Sequence, residues 1–342
     1  MNILMVGPDS HEKGGIATVI ANFQQHYSSE KHQLFFLSSW SNKNKYQTEW
    51  RAVRSIRQII RAKQIDIVHF HVAQKGSFFR KALLSKLVPK RCRVIFHMHA
   101  SQFDLFYKKA RQPLQALIRS TFNQIDHVVV LGENWATFYQ TLTDTKVSII
   151  QNAVQVPKSP LYDEKAQTIV TFGRIGKRKG SYDLLQVAAR IEPFFPKVKF
   201  VLYGDGDVEK VNNQIRTMGL RNVNLGGWVS KEEQAEILKG TLLHFLPSYH
   251  EGLPMAILET MAAGVPNLTT DVGDISELIE NDVNGIMTSP GDVEMMTDEI
   301  SSFIRNDDNR RSKYSQNAFR TIESEFSIAT YMVRWEAVYE SL

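Results

Sequence analysis

The chain has 342 residues, of which 43% are apolar and 23% charged, with Cys92 as its one cysteine. These proportions are typical of a globular protein and exclude a disordered, collagenous or low-complexity chain. One thiol excludes a disulfide framework and a cysteine-rich zinc module, and the length predicts about two domains. No apolar run approaches the roughly 18 residues of a membrane-spanning helix, and the N-terminus does not resemble a signal peptide.

The net charge of +5 is divided unevenly along the chain. Residues 1–150 contain 21 lysines and arginines and 9 acidic residues, a net charge of +12, whereas residues 151–342 contain 20 and 27, a net charge of −7. Chance or solubility is one explanation. The other is that the basic half faces an anionic partner, such as membrane lipid, nucleic acid or a lipid diphosphate.

Short β-rich runs alternate with helical patterns along the whole chain. These runs are mostly continuously apolar, as strands buried on both faces of a parallel sheet are. The pattern therefore predicts parallel sheets with helices on both faces, clearest at 51–63 and 133–142. The predicted strands are 3–6, 34–37, 67–70, 94–98, 128–131, 147–150, 169–172, 199–203, 223–225, 242–246, 267–269 and 285–288.

A polar stretch around Pro157 and Pro160 interrupts the alternation and predicts a linker. We therefore expect an N-terminal domain at 1–151, a linker at 152–167, a second doubly wound domain at 168–325 and a C-terminal helix, 326–342, that packs back on the first domain. Open parallel sheets bind ligands beyond the carboxyl ends of their strands, so the cleft between two such domains is the expected site.

The most informative motif is PSYHEGLPMAILE, residues 247–259, which follows a predicted strand and enters a helix near Pro254. Gly252 permits close approach of a ligand, and the amides at a helix N-terminus bind anions. Glu251 and Glu259 then lie on either side of that anion site. A ligand that fits this order has hydroxyls at both ends and a diphosphate between them, as a nucleotide sugar does. The alternative is that Glu251 is an ordinary loop carboxylate and Glu259 a solvated helix residue.

A second motif, FGRIGKRKG at 172–180, has four cations in six residues after the first strand of the second half. Arg174 and Lys179 are placed to bind a diphosphate and to stabilise it as it leaves. A solvated basic turn is the alternative.

Four histidines lie near the ends of two predicted strands. His69 alternates with His71 and His97 with His99, so each pair lies on one face of its strand. We expect His71 and His99 to point into the cleft and His69 and His97 to belong to the sheet. A metal site is the less favoured reading, because no carboxylate or cysteine accompanies the histidines at ligand spacing.

Two weaker patterns are glycine-rich. Gly14 and Gly15 precede a helix and permit backbone amides to meet a phosphate or an acceptor, although a simple turn explains them as well. Asp205 and Asp207 flank Gly206 at a strand end, where helix N-capping is favoured over metal binding.

Taken in chain order, these motifs resemble the family-4 retaining glycosyltransferases of GT-B fold, of the type that builds bacterial surface polysaccharide. The resemblance covers nearly the whole chain and includes Asn152-Ala153-Val154 at the domain junction and Val272-Gly273-Asp274 with Glu277. Three positions depart from the family pattern: Ala153 and Asp274 replace glycines, and Asp207 replaces a usual proline.

The resemblance implies an α/β fold of two Rossmann-like domains facing across a cleft, and transfer from a nucleotide-diphosphate sugar to an acceptor hydroxyl with retention. Glu251 would bind the donor sugar, Glu259 the ribose, and Arg174 with Lys179 the diphosphate, while His99 would face the transferred sugar. No cofactor or metal is expected, and a UDP-sugar is favoured over a GDP-sugar. The donor contacts would further include Gly14, Gly15, Gly204, Gly252, Leu253 and Pro254.

The basic half of the chain, residues 1–150, gives evidence about the chemical class of the acceptor. Arg54, Arg57 and Arg61 form one stripe, and the segments 77–91 and 103–111 mix aromatic residues with cations, as membrane-interface segments do. Ordinary packing against the sheet explains each segment equally well. No nucleic-acid-binding module is recognisable. We therefore expect a lipid-linked saccharide acceptor and a cytoplasmic protein docked on the inner face of the cell membrane.

Two other classes of function remain open. The first is a nucleotide-sugar epimerase or hydrolase of the same fold, which would need no acceptor. The second is a non-catalytic binding protein, which would not need the glutamate and arginine–lysine set.

Overall fold

The computed structural model describes residues 1–41, 43–305 and 308–342. The chain forms two compact units, one of Met1–Ala153 with Ile328–Leu342 and one of Val154–Ser327. Each unit contains a six-stranded sheet in which all paired strands are parallel, flanked by helices. This confirms the predicted fold class of two doubly wound α/β units.

In the first unit the strand order is β2-β1-β3-β4-β5-β6. All six predicted strands are present, with ends that differ by a few residues. The elements are β1 (Asn2–Pro8), α1 (Gly15–His26), β2 (Gln33–Trp40), α2 (Lys45–Ala62), β3 (Ile67–Val72), α3 (Gly76–Ser85), β4 (Arg93–Met98), α4 (Phe103–Lys108), α5 (Gln112–Phe122), β5 (His127–Val130), α6 (Glu133–Gln140), β6 (Val147–Ile149) and the C-terminal α13 (Ile328–Glu340).

In the second unit the strand order is β12-β11-β10-β7-β8-β9, and its six predicted strands are also present. Two short 3-10 helices, Lys177–Lys179 and Ile275–Glu277, follow strand ends. The elements are β7 (Thr168–Phe172), α7 (Ser181–Ile191), β8 (Lys199–Tyr203), α8 (Val208–Thr217), β9 (Val223–Gly227), α9 (Lys231–Lys239), β10 (Thr241–Leu246), α10 (Met255–Ala262), β11 (Asn267–Thr270), β12 (Ile286–Thr288), α11 (Val293–Arg305) and α12 (Asp308–Glu325).

Burial follows the hydrophobic pattern that predicted these elements. Every residue of β3 and of β10 is buried, as expected for central parallel strands covered on both faces. Helix α2 places Ile56 and Ile60 in the core and leaves Arg54, Arg57 and Arg61 exposed, because residues three and four apart share one helix face. In the described part of the chain, no helix is both long enough and apolar enough to span a bilayer.

The four histidines of β3 and β4 all lie on one face of the first sheet. The rings of His69 and His71 stack with centroids 4.5 Å apart, and those of His71 and His99 stack 5.3 Å apart. The sequence-based placement of His71 in a cleft is wrong, because its ring is fully buried. Helix α13 covers this face: Trp335 stacks on His69 at 4.4 Å, and the Tyr339 hydroxyl lies 2.9 Å from His69 Nδ1.

This histidine stack stays uncharged in the folded protein. Burial lowers the pKa of His69, His71 and His97 well below the usual value and that of His99 to about 3. The rings of His69 and His71 are near-parallel, that of His97 is tilted to them by 40° and 45°, and hydrogen bonds already occupy both nitrogens of His69. Three of these rings come close enough to share an ion, but the stacking favours a packed core over chelation.

Acid should therefore destabilise the first unit. Each of these histidines has a folded-state pKa below its unfolded value of about 6.5, so the unfolded chain takes up more protons as the pH falls below that value. The loss approaches about 1.4 kcal/mol per pH unit for each histidine. We expect a clearly lower free energy of unfolding at pH 5.5 than at pH 7.5, measured by urea titration with tryptophan fluorescence. His97→Phe should reduce this pH dependence, and equal stability of the wild type at the two pH values would contradict the assignment.

Candidate functional site

The second sheet has its topological switch point between β7 and β10, which are neighbours although they are not consecutive along the chain. From β7 the chain runs outward through β8 to β9, and from β10 it runs the other way through β11 to β12. Connections leave the carboxyl ends of such a pair in opposite directions and open a crevice there. The loops that enter this crevice are 173–180 and 247–254, the two motifs that the sequence singled out.

Glycines allow these loops to pack backbone against backbone. Gly180 has a φ of 67°, and a Cβ atom there would lie 1.8 Å from the carbonyl oxygen of Pro247. Gly204, after β8, has a φ of 148°, and its Cβ would lie 1.8 Å from the carbonyl oxygen of Gly173. No other amino acid fits at either position without displacement of the neighbouring backbone. The glycines therefore fix the distances between the strand ends.

A buried ion pair joins the two loops. Lys179 Nζ lies 2.5 Å from Glu251 Oε1, and the side chains are only 12% and 6% exposed. Ser248 Oγ donates to the same carboxylate at 2.7 Å, and Arg178 lies 3.6 Å from its other oxygen. Arg178 also donates to the carbonyl oxygen of His250 at 2.8 Å. A carboxylate this deeply buried is stable only with such partners.

The sequence reasoning missed Ser248 and Arg178 as members of this network. Both lie inside the quoted motifs, and the signal was present in part: Arg178 adjoins Lys179 in the basic run. What spacing does not show is which cation of a run turns inward. The 3-10 turn at Lys177–Lys179 makes that choice by placing Lys179 against Glu251 and leaving Lys177 exposed.

Arg174 occupies an exposed position at the rim of the same loop. Its loop is anchored to the one after β8, because Ile175 N donates to the carbonyl oxygen of Asp205 at 2.6 Å and Asp207 N donates to that of Ile175 at 2.9 Å. The side chain of Arg174 is therefore exposed to solvent, while these backbone hydrogen bonds hold its loop in place. An exposed cation in such a position is suited to bind an incoming anion.

Glu259 lies on α10 and has different surroundings from Glu251. Its Oε2 accepts a hydrogen bond from Gln234 of α9 at 3.0 Å. Burial raises the pKa of this carboxyl, and the Gln234 hydrogen bond opposes the shift. Gly252, Leu253 and Pro254 are buried in the turn that leads into the helix. Glu251 thus precedes α10 and Glu259 lies more than one turn inside it, and the two carboxylates have separate hydrogen-bond partners.

The 205–207 turn requires a correction. Asp207 is the residue that precedes α8, but its side chain does not cap the helix with a hydrogen bond. It lies instead against Gly176, where a Cβ atom would come 3.1 Å from Oδ2, and 3.8 Å from the ammonium of Lys210. The sequence predicted the position of Asp207 and not its contacts, which depend on the neighbouring loop that contains Gly176.

The first unit holds the remaining predicted residues. Gly14, with a φ of 125°, directly precedes α1, and Gly14 and Gly15 are both exposed. His99 follows β4 and is partly buried, with its Nε2 3.1 Å from Nδ1 of His71. These three residues belong to the loops after β1 and β4, at the carboxyl edge of the first sheet.

The two units match two known family models in chain order. The model described as Glycosyltransferase Family 4 matches residues 13–156, and the model described as Glycosyl transferases group 1 matches residues 155–321. Together with the two doubly wound units, these matches define a glycosyltransferase of GT-B type. The chain belongs to the family-4 type of these enzymes, which confirms the resemblance derived from the motifs.

Several of the relatives are named as glycosyltransferases. A 2-deoxystreptamine N-acetyl-D-glucosaminyltransferase of Niallia circulans is 29% identical over 41% of this chain and 37% of its own length. A UDP-Gal:alpha-D-GlcNAc-diphosphoundecaprenol alpha-1,3-galactosyltransferase of Escherichia coli is 23% identical over 92% of this chain and 85% of its own. Anabaena HepE, in its crystal structure with UDP-glucose, is 18% identical to this chain. The structural match covers 100% of both chains with a TM-score of 0.78, which is a likeness of fold.

Proposed function

We propose that the protein transfers a sugar, with retention and without a metal ion, from a UDP-sugar to a hydroxyl of a lipid-linked saccharide in polysaccharide biosynthesis. The observation that carries the donor half of this proposal is the buried Lys179–Glu251 pair at the switch point, beside the N-terminus of α10. Cation, helix amides and carboxylate within one crevice match diphosphate and sugar hydroxyls in one ligand.

Each site residue then has a role that its surroundings support. Lys179 is held by Glu251 at the crevice, and Arg174 is exposed at its rim, so an entering diphosphate would share Lys179 with Glu251 and would also meet Arg174. Glu251 retains an oxygen for sugar hydroxyls, and Glu259 is assigned to the ribose. Preorganised cations stabilise the charge that develops on the leaving diphosphate, which is what a metal ion would otherwise do.

His99 is assigned a neutral role toward the transferred sugar. Burial lowers its pKa to about 3, so at physiological pH its ring can exchange hydrogen bonds with hydroxyls but does not supply a positive charge. The proton of the acceptor hydroxyl is therefore assigned to the leaving phosphate on the same face of the sugar, which yields retention.

The relatives support the choice of substrates. The Escherichia coli relative is named for a UDP-sugar donor and a diphosphoundecaprenol acceptor, and HepE crystallised with UDP-glucose. An epimerase or hydrolase of this fold is the competing function, and it would act on the nucleotide sugar without any acceptor.

The reaction itself tests the proposal. The full chain should bind UDP and at least one UDP-sugar, and it should release UDP much faster when a lipid-linked saccharide is added. The new linkage should have the anomeric configuration of the donor, as read by NMR of the product. Activity should persist in EDTA. Activity that EDTA abolishes and magnesium or manganese restores would contradict the metal-free mechanism, and conversion of the nucleotide sugar without acceptor would favour an epimerase or hydrolase.

The two glutamates should be separable by ligand. Glu259→Ala should weaken UDP and UDP-sugar alike, whereas Glu251→Ala should spare UDP more than UDP-sugar, because only the sugar reaches the second carboxylate. The loss of a hydrogen bond to a charged acceptor costs about 1.5–3 kcal/mol. Calorimetry of both variants with UDP measures this, and Glu236→Ala on the exposed face of α9 is the control. Equal UDP affinity in wild type and Glu259→Ala would refute the ribose assignment.

The membrane part of the proposal rests on the surface of the first unit. Arg57 Nε of α2 donates to the carbonyl oxygen of Leu87, just beyond the end of α3, at 3.2 Å. The Phe79 and Phe106 rings join α3 to α4 at 6.1 Å. We call the exposed side chains of these helices and of the start of α5 the basic helical face: Trp50, Arg54, Arg57, Phe79, Leu83, Lys86, Lys108, Lys109 and Arg111.

The structure corrects which residues of the predicted segments are available to lipid. Phe78, Lys81 and Phe103 are buried and belong to the interior of the unit. Trp50, which is 63% exposed with the Arg54 guanidinium 4.3 Å from its ring centroid, provides an aromatic–cation pair that the sequence reasoning did not select. Such pairs are typical of membrane-interface positions.

Binding to anionic vesicles should therefore fall steeply with salt without vanishing. Each lysine or arginine near an acidic bilayer contributes about 1 kcal/mol, and salt screens that attraction but not aromatic insertion. The triple change of Lys108, Lys109 and Arg111 to Gln should weaken co-sedimentation and leave UDP affinity unchanged. The matched control changes Lys197, Lys199 and Lys210 of the second unit to Gln, with the same loss of charge. Failure of the wild type to bind acidic vesicles at low salt would favour a soluble acceptor.

A further inference from the structure

Lys81 of α3 is a buried lysine without a counterion. Its side chain is 1% exposed, and among the described residues no carboxylate lies within ion-pair distance of its ammonium. It shares the inward face of α3 with Phe78, Ala82 and Leu84, all buried. Burial lowers the pKa of this ammonium to about 7, and the neighbouring Arg80 adds to the effect.

The helix geometry shows where the ammonium lies. Side chains of an α-helix lean toward its N-terminus, so the long stem of Lys81 leads back along α3 toward the carboxyl edge of the sheet. The charge of Lys81 acts on His71 and His99 and helps to lower their pKa values. His99 directly follows β4, and it is one of the residues assigned to the reaction. The ammonium thus belongs to the reactive edge of the first unit.

Arg80 brings a second cation to the same helix start. Its guanidinium lies 4.2 Å from the ring centroid of Trp40, the last residue of β2, and its Nη1 is 3.3 Å from the position of a Cβ on Gly76, the first residue of α3. Its Nε is buried without a hydrogen-bond partner in the described part of the chain. Glu49 of α2 is near enough to act electrostatically on both cations but forms an ion pair with neither.

This cluster lies at the topological switch point of the first sheet. Strands β1 and β3 are neighbours, and the chain leaves β1 toward β2 on one side and leaves β3 toward β4 on the other. The loop after β3 leads into α3, so the N-terminus of α3 opens on the crevice where such sheets bind ligands. Helix N-terminus, Arg80 and Lys81 all contribute positive potential there.

We propose that Lys81 and Arg80, with the N-terminus of α3, form an anion subsite for a phosphate or carboxylate group of the acceptor. The inference rests on the proposed glycosyl transfer and names the acceptor's chemical class. An unpaired cation in a protein interior is costly, and an anionic ligand would offset that cost. The donor motifs belong to the other unit, so this subsite accounts for charge on the acceptor and not for the donor diphosphate.

The test measures anion binding to the full chain by calorimetry with saturating UDP, which occupies the donor site. The probes are inorganic phosphate and succinate, which distinguish a phosphate-bearing from a carboxylate-bearing acceptor. Lys81→Met keeps the buried volume and removes the charge. Lys86→Met, at the exposed C-terminal end of the same helix, is the matched control. We expect the wild type to bind at least one probe and Lys81→Met to bind it about ten- to hundredfold more weakly.

UDP affinity should be the same in all three proteins, and the melting temperature of Lys81→Met should equal or exceed that of the wild type. No saturable binding of either probe to the wild type, or equal binding by Lys81→Met, would overturn the subsite, as would an equal loss in Lys86→Met. Failure of the wild type to bind UDP would instead contradict the donor assignment. The comparison of anion binding between Lys81→Met and the wild type tests the subsite whether or not UDP binds.

Discussion

The pairing of non-consecutive parallel strands governs the arrangement of everything else in this protein. In each unit two central strands, β1 with β3 and β7 with β10, are hydrogen-bonded neighbours from which the chain leaves in opposite directions. The loops at their carboxyl ends therefore diverge, and side chains there are not covered by a crossing connection. Parallel pairing of this kind leaves room for a ligand at these two places, and the loops that carry most of the candidate site residues lie there.

The two switch points differ in whether their buried lysine is paired with a carboxylate. In the second unit Lys179 is paired with Glu251, and Ser248 and Arg178 add a hydrogen bond and a second ion pair to the carboxylate. Charges that are already positioned by such partners favour catalysis by preorganisation. In the first unit the ammonium of Lys81 forms no ion pair with a described residue, and the anion that we propose would be its first partner.

On the face of the first sheet under α13, residues that the sequence suggests as site candidates belong to the packed interior. Four histidines at strand ends look reactive in the sequence, yet Phe23, Trp335 and Tyr339 cover three of them. Only His99 reaches the edge, one residue beyond the last residue of β4. The C-terminal helix thus stabilises the strands that place His99, and burial, with a smaller effect of the Lys81 charge, lowers the pKa of His99.

The sequence by itself determined the elements and the order of the motifs. Mostly apolar runs locate all twelve strands, because strands covered on both faces admit few polar residues, and the glycine-rich turns place the loops 173–180 and 247–254 after β7 and β10. Glu251, Glu259, Lys179 and Arg174 follow from spacing around a strand–loop–helix junction. These inferences are local, and local physics suffices for them.

Only the tertiary structure decided which side chains meet and which are buried. Nothing in the spacing of residues 172–180 shows that Lys179 turns inward while Arg174 remains at the rim, since a 3-10 turn and the approach of Gly180 to Pro247 make that selection. Likewise, the sequence alone suggests that Lys81 is one cation of a surface segment, and only the packing of α3 shows that it is buried. Burial and pairing depend on contacts between residues far apart in the chain, and the charge state of a group depends on both.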